Sequence, residues 1–162
     1  MHDSIIPNFS AKAVHFKALK ISSTAFQNNE PIPQEYTCDG KDINPPLDID
    51  DIPMEAKSLA LIMDDPDAPG GTWVHWVVWN IPITHHIREN EKPGEEGLNN
   101  SDDHQYGGPC PPSGIHRYFF KVYALDTLLD LPADTRKEQL EKKMSKHIVA
   151  FGELVGLYSR DK

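Results

Sequence analysis

Two short apolar runs, Leu59-Ala60-Leu61-Ile62-Met63 and Trp76-Val77-Val78-Trp79, flank the acidic turn Asp64-Asp65-Pro66-Asp67-Ala68-Pro69. A strand that is apolar at every position has no face left for water, so each run reads as a strand covered on both sides. The carboxylates then stand where a buried strand leaves the core, a costly place for charge unless something pairs with it. His75 and His116 are the candidate partners.

The chain has 162 residues, enough for one domain with a real core. Its 25 acids against 16 bases give a formal charge of -9, and the bases are scattered. Nucleic acid, which is bound through clustered Lys and Arg, is therefore excluded as a partner class. Simple adhesion to anionic membrane surfaces is excluded on the same ground. No apolar stretch approaches the length of a membrane-spanning helix. The first 16 residues lack the apolar block of a signal peptide, so the cytoplasm is the expected compartment. Residues 1–16 read as a loosely held extension and 17–162 as a single domain. Cys38 and Cys110 make no metal motif; they pair only if the fold brings them together, and in a reducing compartment two free, partly buried thiols are the first expectation.

Fourteen prolines favour loop-rich β architecture over a helical bundle. A first strand is expected over residues 19–26 and a brief edge strand at 47–49, within an otherwise irregular 30–57. Strands follow at 58–64 and 73–81, with Gly70-Gly71 allowing the reversal between them. Residues 83–105, polar and broken by Gly and Pro93, read as a long surface excursion. The Gly107–Gly114 segment reads as a stiff loop feeding the longest strand signal, residues 115–125. One helix is clear: Thr135-Arg136-Lys137-Glu138 has the form of a capping box, and Leu140 and Met144 fall on one stripe. A last strand is expected over 149–158. The fold class is mostly β with one late α-helix.

Side chains alternate across a strand, so His116 and Tyr118 point together at the start of theirs, beside the stiff loop. Asp65 and Asp67 are likewise two apart, and His75 opens the strand that follows them. Three segments thus bring polar groups to strand ends, where sites are commonly built. Each has a blander explanation as well: Asp beside Pro is common turn chemistry, and a single buried His or Tyr is commonly a packing residue.

These stretches together carry a resemblance. Asp65-Pro66-Asp67-Ala68-Pro69, Trp73-Val74-His75-Trp76 and Tyr106-Gly107-Gly108-Pro109-Cys110-Pro111-Pro112-Ser113-Gly114-Ile115-His116-Arg117-Tyr118 are similar to the phosphatidylethanolamine-binding protein family. The likeness is to its short bacterial and archaeal, Raf kinase inhibitor-like branch. It extends from about Lys20 to Arg160. It implies a β-sandwich of two packed sheets with a small-anion cavity, lined by residues matching Asp65, Ala68, Pro69, Trp73, His75, Gly108, Pro111, His116 and Tyr118. Asp67, Tyr106, Gly107, Pro109 and Pro112 complete the expected site. The family binds phosphate, phosphorylethanolamine and related anions, and its eukaryotic members regulate kinases or proteases. The helix that covers the pocket in animal members has no counterpart after Tyr158, so a more open pocket is expected and kinase inhibition is not carried over.

An anion beside two carboxylates requires neutralisation, because unit like charges about 4 Å apart repel by roughly 4 kcal/mol at an effective dielectric near 20. The expectation is that Asp65 and Asp67 orient and charge His75 and His116, while the Gly107-Gly108 amides and the Tyr118 hydroxyl donate to the anion. The site is expected to need no cofactor and to bind rather than turn over its ligand. A metal-dependent hydrolase built on the same Asp/His cluster is one alternative. Another is an interaction protein that uses residues 83–105 as its outer surface over a vestigial pocket. Apolar strands also leave room for a homodimer, and a regulated protein partner, such as a kinase or protease, goes unidentified.

Overall fold

The computed structural model describes residues 16–161. All but the last residue of the expected extension lies outside that range, and Phe16 packs against the apolar core. In chain order the strands are β1 (Lys17–Ala18), β2 (Lys20–Ser22), β3 (Glu30–Pro31), β4 (Leu47–Asp50), β5 (Ser58–Asp65), β6 (Trp73–Ile81), β7 (His86–Ile87), β8 (Glu95–Glu96), β9 (His116–Leu125) and β10 (Ile148–Tyr158). The helix α1 (Lys137–Met144) precedes β10.

A large sheet runs β1-β10-β9-β5-β6-β8, with β3 also paired to β10, and a small sheet runs β2-β4-β7. Strands β5, β6, β9 and β10 pair antiparallel, while β1 and β3 join β10 in parallel. Between the two sheets lie Leu59, Leu61, Met63, Trp76, Val78, Phe120 and Val122, met by Ile21, Leu47, Ile49 and Ile87 of the small sheet. The opposite face of the large sheet carries Ala60, Ile62, Val77, Trp79 and Tyr123, which Leu140 and Met144 of α1 cover. The doubly apolar runs are thus explained by a sandwich on one side and a helix on the other.

The strand forecasts for β5, β6, β9 and β10 agree with the structure within a residue or two. The expected first strand is shorter and broken, with Leu19 between β1 and β2. Residues 83–105 lie mostly at the surface, as expected, but are pinned to the fold: β7 joins the small sheet, β8 edges the large one, and Pro93 and Asn99 are buried. The helix starts one residue later than the Thr135 box implies. Thr135 Oγ1 donates to Pro132 O, and the Arg136 N–H is taken by Gln139 Oε1 at 2.9 Å.

Asp64 points to the helix side, where Lys121 Nζ and Lys137 Nζ reach its Oδ2 at 3.0 and 2.9 Å. All three side chains are buried. Burial alone would drag the Lys137 ammonium down, but Asp64, with Glu141 and Glu138, outweighs it and holds Lys137 above the usual range. Asp64→Asn removes the charge that both lysines share. Breaking a buried ion pair typically costs about 3–5 kcal/mol, so a urea midpoint unchanged in this variant would contradict the arrangement.

Candidate functional site

The first residue after Asp64 emerges on the opposite face. Asp65 is buried, and both of its oxygens are engaged. Oδ1 accepts the Asp67 N–H at 2.8 Å and Oδ2 accepts from His116 Nδ1 at 2.6 Å. The second contact joins the end of β5 to the start of β9, which the antiparallel pairing of these strands brings side by side. With Nδ1 so occupied, His116 Nε2 has no protein partner among the described residues.

His75, near the start of β6, donates from Nδ1 to the Gly107 carbonyl at 2.7 Å. Its Nε2 is likewise left without a protein partner. Burial pushes His75 below the usual histidine value, and the opposing pull of Gly107 O and of Asp65, Asp64 and Asp42 is too weak to restore it. Tyr118 lies between the two imidazoles, edge-on to His75 at 5.3 Å and stacked on His116 at 6.4 Å between ring centroids. Its buried hydroxyl has no hydrogen-bond partner, and burial raises its pKa.

These groups open onto a cavity of about 350 Å³. Of the residues expected to form it, Asp65, Ala68, Pro69, Trp73, His75, Gly107, Gly108, Pro111, Pro112, His116 and Tyr118 do line it. Three do not. Asp67 turns away and is held by Arg117, whose Nε and Nη2 donate at 2.9 and 2.8 Å while its backbone N–H adds a third bond. This pairing, more than the nearby His116, keeps the Asp67 carboxyl below its usual range. Asp67 therefore braces the start of β9 through Arg117 and makes no hydrogen bond to either histidine. Tyr106 is buried behind the wall, donating to Tyr36 O at 2.7 Å, and Pro109 offers its carbonyl to the Cys38 N–H.

The wall itself corrects two further expectations. The Gly107 and Gly108 amides are not free for a ligand: they donate to His75 O and to Asp42 Oδ1. Glycine is needed at 108 for space, since a Cβ there would stand 2.4 Å from Asp42 Oδ1 and 2.6 Å from Tyr36 O. Cys38 and Cys110 are joined in a disulfide across 72 residues, so they are not free thiols. The fold brings them together by seating the 107–112 loop on the 36–42 segment, a contact that spacing alone does not reveal. Val74, Asn99, Ser101 and Cys110 also line the cavity. Of these, Cys110 had a legible signal: in Pro109-Cys110-Pro111-Pro112 it is the one residue with a backbone N–H. That amide has no protein partner among the described residues.

Comparison with known proteins now bears on the site. The family profile described as phosphatidylethanolamine-binding protein matches residues 22–159. The chain belongs to this family. A UPF0098 protein from Pyrococcus abyssi is 52% identical over 153 residues, covering 88% of this chain and 85% of that one. One from Methanothermobacter thermautotrophicus is 47% identical, covering 88% and 99%. Among solved structures, one described as a phosphatidylethanolamine-binding protein homologue from Chlamydia trachomatis superposes with a TM-score of 0.86. It is 42% identical and covers 90% of this chain and 99% of its own. An E. coli structure described as a new member of the mammalian branch gives 0.82 at 26% identity, covering 88% and 99%.

No group of three or more His, Cys, Asp or Glu side chains among the described residues is arranged to hold a metal ion. No described helix is long and apolar enough to cross a membrane. In this family member the polar residues on the cavity wall are Asp65, His75, Asn99, Ser101, His116 and Tyr118.

Two outcomes follow for this wall. Protein denatured without reductant should show no thiol that reacts with Ellman's reagent, and removing the bridge should cost about 2–5 kcal/mol of stability. The second concerns His75. Unfolded, it takes a proton near its ordinary value of about 6.5, whereas folded it resists protonation to lower pH. Its contribution is therefore present above that value and lost as pH falls below it. Urea midpoints taken at pH 7 and pH 5 should fall further for the wild type than for His75→Gln.

Proposed function

We propose that this chain binds a small oxygen anion of the phosphate or phosphomonoester kind in the cavity, and acts as a binding protein without turnover. The observation that carries the reading is the Asp65–His116 contact. It engages an oxygen of a carboxylate on the cavity wall and leaves the far nitrogen of the imidazole, on a residue that also lines the cavity, without a protein partner among the described residues. With His116 as imidazolium the pair is electrically neutral, and an anion meets an N–H instead of an exposed acid. Without that, repulsion of about 4 kcal/mol from a carboxylate about 4 Å away at an effective dielectric near 20 would oppose binding. The chain carries a net charge of -9, so attraction has to be local.

The apolar part of the lining, with Pro69, Pro111, Pro112 and a 44% exposed Trp73, suits the carbon side of a small ester better than a bare ion in water. Regulation of a protein partner by the occupied cavity belongs to the same proposal. So does a cytoplasmic location, although an exposed bridge such as that of Cys110 is readily reduced. It would therefore have to outlast cellular thiols.

Titration with inorganic phosphate, followed by histidine ring resonances, tests the reading. His75 and His116 should both shift at millimolar phosphate or below. His116→Ala should weaken binding tenfold or more; because it leaves the buried Asp65 carboxylate short of a partner, its thermal midpoint should fall as well, and affinity is measured well below that midpoint. Full affinity in that variant would refute the role of the Asp65–His116 pair.

A further inference from the structure

The two imidazoles that face the cavity are not equivalent. His116 Nδ1 rests on a carboxylate, and Nε2 is a donor when the ring carries both protons. His75 rests on a neutral carbonyl. The bond to Gly107 O requires the proton to be on Nδ1, and in the neutral ring that leaves Nε2 with a lone pair directed at the cavity. The charged and titratable groups around His75 are Asp65 and Asp64 from β5, Asp42 from the segment under the loop, and Tyr118 and His116 from β9. Desolvation outweighs the acids among them.

The other groups on the wall sharpen the contrast. Among the described residues no lysine or arginine lines the cavity. Asn99 spends both amide hydrogens on His75 O and Gln105 O, and its oxygen accepts from Ser101 N and Asp103 N. The Gly107 and Gly108 amides are used as described, and Pro69, Pro111 and Pro112 have none. A fully ionised oxyanion would press an unshared lone pair against the lone pair of His75. A ligand with its own acidic hydrogen would turn that repulsion into a hydrogen bond.

We propose that His75 is a specificity-determining acceptor in this cavity, selecting oxyanions that carry a proton, namely dihydrogen phosphate and phosphomonoester monoanions, over sulfate and phosphodiesters. The ligand's P–OH donates to His75 Nε2, while one P–O⁻ accepts from His116 Nε2–H and another oxygen takes the Cys110 amide. This deepens the proposed function and rests on it. The discrimination follows the logic of a site built around one hydrogen: an analogue lacking that hydrogen leaves a buried acceptor unpaired, which costs far more than the loss of a contact.

The test uses the intact, oxidised chain at pH 6.5 and four probes of similar size: inorganic phosphate, methyl phosphate, sulfate and dimethyl phosphate. Phosphorylethanolamine is added to separate free phosphate from a head-group source. Phosphate and methyl phosphate should bind at least tenfold more tightly than sulfate and dimethyl phosphate. Nitrogen-15 shifts of the wild-type ring should show His75 Nε2 unprotonated with phosphate bound, a readout that needs no variant to fold. In His75→Gln, whose amide can turn to donate, the preference over sulfate should shrink towards parity. Sulfate binding as tightly as phosphate, or a His75 protonated on both nitrogens in the complex, overturns the acceptor role and leaves the anion site standing. Failure of every probe to bind overturns both.

Discussion

Asp64 and Asp65 leave the central strand in opposite directions, and each is answered by cations or their equivalents on its own side. Behind the sheet, Asp64 gathers two lysines and ties α1 to β9. In front, Asp65 gathers one histidine and one backbone amide and ties the β5 end to the β9 start. Placing charge at a strand end is costly unless it is fully paired, and both carboxylates are. Only the second pairing leaves a nitrogen pointing at open space. The difference between a structural ion cluster and a ligand site is, in this strand, the difference between a lysine and an imidazole as partner. An ammonium buried against Asp64 keeps its charge inside the fold, whereas an imidazole has a second nitrogen to present elsewhere.

The front wall depends on that geometry and is fastened separately. Gly107 is held at both ends by His75, its amide to the His75 carbonyl and its carbonyl to the His75 ring. Gly108 sits on Asp42, Tyr106 on Tyr36, and Cys110 on Cys38. Four unrelated fastenings within five residues make the loop an extension of the sheet edge more than a mobile flap, and the prolines between them remove most of the remaining freedom. The His75 tautomer follows from this, because it is set by a carbonyl that the loop cannot easily withdraw.

Much of this could be read in the chain before folding. The strands β5, β6 and β9 announced themselves through doubly apolar runs, and the polar residues at their ends proved to share one cavity. What failed were questions of partner choice. Spacing pairs Asp67 with the histidines because it lies two residues from Asp65, but Arg117, next to His116, holds it through two side-chain bonds. The glycine amides looked available because sequence cannot show that Asp42, some 66 residues away, lies under the loop. The cysteine pair stayed hidden for the same reason, since 72 residues of chain separate its halves. Within the mostly exposed 83–105 segment, polarity hides one exception: Asn99 is buried because its side chain satisfies four backbone groups at once. Periodicity reports which face of a strand is covered, and it is silent on which of two nearby groups makes a bond.

On the proposed reading an acidic chain holds an anion against its own field, and the pairing pattern removes the conflict. Asp65, Asp67 and Asp42, the acids nearest the cavity, spend oxygens on His116, Arg117 and the Gly108 amide, so little unbalanced negative charge faces a ligand. The same economy limits what remains to bind with: no permanent cation faces inward, and the donors are few. A receptor for a dianion built from lysine or arginine would hold its ligand through Coulomb attraction at any neutral pH. Under the proposal, this wall relies instead on where individual protons sit, on His116, on the Cys110 amide and on the ligand. Recognition of that kind is weak as a field and strong as a pattern, so it suits discrimination among anions of equal size better than capture of whichever is most charged.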